Sequence, residues 1–137
     1  MAPMSAPPRV NKLASQRRSQ VARMSTVYKI LPAALWHEAK RQGVFRGSPV
    51  DIQDGFIHFS SAEQAPETAA KHFAGERDLV LLRVDAGRLG GRLKWEPSRG
   101  GALFPHLYGD LELAAVIHIE PLPLAADGRH QFPPLDP

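Results

Sequence analysis

With 137 residues, no cysteine and no apolar run near the roughly 18 residues of a membrane span, the chain argues against disulfide-stapled, thiolate-metal and membrane-helix classes. The net charge of +3 is uneven: residues 1–26 hold five basic residues and no acid, and the remainder holds 12 basic and 14 acidic residues, a balance of −2. A mildly acidic remainder lacks the footprint of a nucleic-acid binder, and the length and cysteine count point to one domain in a reducing compartment such as the cytoplasm.

The chain starts with a basic tail over residues 1–25, expected to be disordered. Three readings of it stand: an overextended start upstream of Met24, an organelle-targeting segment, or an arm that touches acidic partners. A single α+β domain is expected over 26–122, and a proline-rich extension over 123–137. Val27–Leu31 is short, alternating and β-rich, so it predicts a strand. Pro32 suits the first turn of a helix over 32–42, and Gly43 stops it. Residues 44–54 read as a loop. Gly55–Phe59 predicts a second strand, followed by a cap at Ser60 or Ser61 and a helix near Pro66 that ends by Gly75. Asp78–Asp85 contains Leu79-Val80-Leu81-Leu82, the pattern of a strand buried on both faces. A tight connection over 86–91 leads to a strand over 92–96, a loop over 97–109 and a last strand over 113–120. The extension from Pro121 is expected to lie along the surface or to fray. The sum is an α+β fold with a mixed or antiparallel sheet and two helices.

Chemistry-bearing residues interrupt this pattern in two places. His58 lies mid-strand between apolar neighbours. It is either a half-buried histidine bonded to a backbone carbonyl or, with Ser60 on the same face, one wall of a pocket. Ser98-Arg99-Gly100-Gly101-Ala102 is either an ordinary glycine turn or a cradle of bare amides and a guanidinium for phosphate. His106 and Tyr108 share a face if extended, and either hold a planar ligand or pin the loop to the core. Glu96 is a carboxylate for a developing cation or a sugar hydroxyl, or else a strand-end residue paired with Lys94 or Arg99. Tyr28 and Lys29 point to opposite faces of the first strand and either could reach a pocket, with edge packing expected for Tyr28 and solvent for Lys29; Trp36 is expected in the core. The six histidines lack the H-x-x-x-H spacing of metal ligands, so no metal is expected.

Tyr28-Lys29-Ile30, Trp36, Gly43-Val44-Phe45, Asp54–Ser60, Lys71-His72-Phe73, Leu79–Asp85, Lys94–Gly101 and Phe104–Gly109 together resemble the bacterial domain of unknown function 952 family. That likeness runs from about Tyr28 to Pro121. A second likeness is to RNA 2′-phosphotransferases, carried by Trp36, Gly43, Ile57-His58-Phe59 and the strand ending at Asp85 with its later glycine turn. The resemblance implies an ADP-ribosyltransferase-like split sheet and an NAD-like nucleotide as small-molecule partner. It implies ADP-ribosyl or glycosyl transfer with His58 and Glu96 as catalytic residues. Ser60, Ser98, Arg99, Gly100, Gly101, His106 and Tyr108 would then hold the cofactor. This chain departs from those enzymes in having Tyr28-Lys29 or Lys29-Ile30 where they carry His-Gly, and Gly100 where they carry Asn. The alternative is a non-catalytic module on the same fold that binds a small ligand or a protein.

Overall fold

A computed structural model describes residues 25–137, so the basic tail, apart from Ser25, lies outside the described residues. Strand β1 (Thr26–Pro32) pairs antiparallel with β4 (Leu79–Asp85), which pairs antiparallel with β8 (Val116–Pro121). A second antiparallel sheet has the order β3 (Ile57–His58), β6 (Ala102–Leu107), β5 (Leu93–Ser98). Two short strands, β2 (Val44–Phe45) and β7 (Leu111–Glu112), form a third pair. One bridge stitches the larger sheets together: the amides of Tyr28 and Ser60 donate to each other's carbonyls, both at 2.8 Å. The fold is α+β with antiparallel sheets. Among the described residues it has four α-helices where two were expected, namely α1 (Ala33–Gln42), α2 (Pro49–Asp54), α3 (Ala65–His72) and the single turn α4 (Ala86–Leu89).

Strand β1 is buried on both faces, which decides the fate of its polar residues. Val27 and Leu31 point into one core cluster with Trp36, Leu82 and Leu107. Tyr28 and Ile30 point into a second cluster with Leu79, Leu81 and Leu122. Alternation therefore puts Lys29 on the face of Val27 and Leu31, where it is 5 % exposed rather than in solvent. Tyr28 is 2 % exposed, between β4 and the Ser60 bridge rather than at an edge. The expected strand at 78–85 is β4, with Leu79, Leu81, Leu82 and Val84 buried.

Helix α1 begins after Pro32 and ends at Gly43 in the left-handed conformation (φ 83°), burying Trp36 and Ala39. Two segments expected as loops are regular. Residues 44–54 hold β2 and α2, because Ser48-Pro49-Val50-Asp51 forms a reciprocal capping box with proline in the first turn. Residues 97–109 hold the end of β5, a 3-10 turn and all of β6. Pro97 and Pro105 mask these strands in sequence. Pro97 lies on the outer strand β5, where a missing N–H is tolerated. Pro105 still accepts from the Phe59 amide at 2.9 Å. Neither Ser60 nor Ser61 is the N-cap of α3, which is Gln64; the Ser61 Oγ instead accepts from the Gln64 amide at 3.2 Å in the turn before the helix. The C-terminal extension folds back. Its Asp136 amide donates to the Tyr28 hydroxyl, that hydroxyl donates to the Asp136 carbonyl, both at 2.8 Å, and the Asp136 carboxylate pairs with Arg83.

Candidate functional site

The bridge between the sheets and the loop before α2 enclose a cavity of about 550 Å³, within the range of small-molecule sites. His58, Ser60, Ser98 and His106 line it, with Tyr28 and Lys29 from β1 and Asp54 from α2. Leu35, Val50, Phe59, Phe73 and Phe104 give it apolar walls. The register of β3 and β6 places His58 directly opposite His106. Their ring centroids are 5.5 Å apart at 69°, and Phe56 stacks on His106 at 4.1 Å.

Asp51, 2 % exposed, organises one side. It accepts from Lys29 Nζ at 2.9 and 3.1 Å, from the Ser48 amide and hydroxyl at 2.8 and 2.7 Å, and from the His58 amide at 3.1 Å. The His58 ring donates from Nδ1 to Asp51 at 2.7 Å, and its Nε2 faces Asp54 Oδ2 at 2.9 Å. Carboxylates, not a backbone carbonyl, therefore hold this imidazole. Burial alone would raise the Asp51 carboxyl. The His58 hydrogen bond, the Lys29 ammonium and the Ser48 amide outweigh burial and hold it well below the usual carboxylate range. Burial pushes the Lys29 ammonium below the usual lysine range, and Asp51 opposes that shift. Packing fixes the arrangement as well as charge. Gly47 has φ 120°, and a Cβ there would lie 2.9 Å from the Cβ of Asp51.

A second carboxylate group is built on the β5–β6 hairpin. Glu96 Oε1 accepts from His106 Nδ1 at 2.8 Å and from the Tyr108 hydroxyl at 2.7 Å. The His106 bond, then the Tyr108 bond, lowers the Glu96 carboxyl, and the same contact with Glu96 raises the Tyr108 phenol. Glu96 and Tyr108 do not line the cavity, so each reaches it only through His106. Of the glycine turn, Ser98 lines the cavity, whereas Gly100 (φ 69°) and Gly101 (φ 88°) do not. The Arg99 side chain lies outside the described residues. The Ser60 hydroxyl bonds that of Thr68 at 2.9 Å. Among the described residues no group of three or more His, Cys, Asp or Glu could hold a metal ion, and no helix is long and apolar enough to cross a membrane.

The structure thus brings His58, Ser60, Ser98 and His106 together, adds Lys29, which was expected in solvent, and adds three residues that were not among the candidates: Ser48, Asp51 and Asp54. One sequence signal pointed to part of this set. Ser48-Pro49-Val50-Asp51 has the spacing of a capping box. The partnership of Asp51 with Lys29, 22 residues away, left no local trace.

The family model described as Protein of unknown function (DUF952) matches residues 30–119, close to the stretch from Tyr28 to Pro121 expected from the motifs. The crystal structure of protein CC0527 from Caulobacter crescentus is 57 % identical, covers 77 % of this chain and 93 % of that one, and superimposes with a TM-score of 0.75. The solution NMR structure of the same protein is 57 % identical over 78 % of this chain and 92 % of that one, with a TM-score of 0.72. No curated protein matches.

Proposed function

The chain belongs to the DUF952 family of proteins of unknown function, and on that premise we propose that its cavity binds a nucleotide of the NAD type on an ADP-ribosyltransferase-like split sheet. The observation that carries this reading is the pair of cross-strand histidines, His58 and His106, lining one cavity with Ser60 and Ser98. Apolar walls suit a planar ring, and hydroxyls with imidazoles suit a ribose. Ser98, the residue of the glycine turn that lines the cavity, receives phosphate. Asp54, not Glu96, is the carboxylate that lines the cavity. It therefore takes the role of stabilising the cation that develops when the bond to nicotinamide breaks.

The test is incubation with NAD, read both as thermal stabilisation and as free nicotinamide. Binding at one hundred times Kd stabilises a protein by about 2.7 kcal/mol, a readily measured shift. His58→Ala leaves the Lys29–Asp51 pair in place and is expected to abolish release while the protein stays folded. Release at the wild-type rate removes His58 from the chemistry. A second reading, binding without turnover, draws on a specific observation: carboxylates engage both ring nitrogens of His58, leaving neither free to take a proton. Stabilisation without nicotinamide release would favour it.

A further inference from the structure

We propose that His106, oriented by Glu96, is the general base of this cavity, a role that rests on the nucleotide reading above. The two histidines look alike in sequence, but their nitrogens are used differently. His58 is held at both ends. His106 is held at one: Nδ1 meets Glu96 Oε1 at 2.8 Å, and among the described residues Nε2 makes no hydrogen bond. A carboxylate can only accept, so Nδ1 carries the proton and Nε2 of the neutral ring is left as a lone-pair acceptor. The ring is 4 % exposed, stacked on Phe56 and part of the cavity lining. Its orientation is therefore set before any ligand arrives. The Tyr108 hydroxyl donates to the same Glu96 oxygen at 2.7 Å and holds that carboxylate in turn. Base and orienting carboxylate are the two protein members of the arrangement that activates a bound nucleophile such as water.

The step it performs is hydrolysis of the nicotinamide–ribose bond. A water O–H gives its proton to His106 Nε2, and the water oxygen bonds the anomeric carbon. The carbon–nitrogen bond breaks with its electron pair going to the ring nitrogen, which neutralises the pyridinium charge. The products are ADP-ribose, nicotinamide and one proton, which His106 releases to solvent. An alcohol in place of water gives transfer by the same proton path. His106 is the catalytic residue here, and Glu96 is a positioning residue.

Two measurements test this. Long-range proton–nitrogen NMR spectra of the full chain without ligand are expected to show the His106 proton on Nδ1, and a proton on Nε2 alone would overturn the proposal. His106→Ala, with His106→Gln as a second variant should the first fold poorly, is expected to keep NAD-induced thermal stabilisation. Nicotinamide release should fall by about 10²–10⁴-fold and recover on adding free imidazole, which fits the space the ring leaves. Glu96→Gln is expected to shift the His106 tautomer signal and to lower release by about tenfold or more. Release by His106→Ala at the wild-type rate would overturn the base assignment and leave NAD cleavage standing. No release from the wild type would overturn both.

Discussion

Asp51→Asn isolates the buried charge group. It removes the carboxylate that faces Lys29 Nζ at 2.9 and 3.1 Å and that accepts from Ser48 and His58. Lys29, 5 % exposed, is then a buried ammonium without its counter-charge. Removing one partner of such a pair costs about 3–5 kcal/mol, more than the pair contributes net, because the remaining charge has lost its hydration. A domain of this size loses about 4 °C of Tm per kcal/mol, so the expected fall is roughly 12–20 °C. The assay is urea unfolding followed by circular dichroism between pH 2 and pH 7. Asp51 is held below its unfolded value of about 3.9. Below that pH the unfolded chain binds more protons than the folded one, so the contribution is present above about pH 4 and lost as the pH falls further. Asp51→Asn should therefore be less stable at pH 7 and have a flatter acid limb. Combined with Lys29→Met, it should cost less than the sum of the single changes, with a coupling of about 0.5–3 kcal/mol. A variant within 1 kcal/mol of wild type that keeps the same acid limb would falsify the claim that Asp51 holds the site together.

Gly47→Ala forces a Cβ to within 2.9 Å of the Asp51 Cβ at a φ of 120°. It should destabilise by about 1–3 kcal/mol and shift the amide signal of His58, as two-dimensional NMR would show. Tyr28→Phe removes both hydrogen bonds to Asp136. It should cost roughly 0.5–1.5 kcal/mol and speed hydrogen exchange in residues 131–136 far more than in β4. Burial, first among the causes, raises the Tyr28 phenol, so its contribution is complete below about pH 10 and is lost as the pH rises through the folded value. Tyr28→Phe should remove that alkaline loss, and alkaline unfolding curves of the two proteins test it. Tyr108→Phe leaves Glu96 bonded to His106, so the fold should hold unchanged because the hydroxyl lies at an exposed position. Equal Tm by calorimetry is the check.

The sheet and helix order was legible wherever local signals agreed. Pro32 and Gly43 bracket α1, and the run Leu79–Asp85 could only be a buried strand, so these elements form where the sequence predicts. The motif around His58 marked β3, whereas the segment holding His106 was expected as a loop and is β6. Where local chemistry is ambiguous, the reading failed. Pro97 and Pro105 hid the β5–β6 hairpin, since a proline forfeits an N–H wherever it lies and only its neighbours show whether that N–H was needed. Lys29 looked like a solvent residue because alternation assigns a face without saying what covers it.

Periodicity, capping residues and turn glycines are properties of a few consecutive residues, so the chain alone set β1, α1, β3 and β4, its α+β class and the two segments that hold the imidazoles. Which imidazole is tied at both nitrogens and which keeps one free depends on carboxylates brought from α2 and β5. So does the burial of Lys29 against Asp51. Those partners meet only when the sheets close on each other, because hydrogen bonds and desolvation act over a few ångströms of space and are blind to distance along the chain.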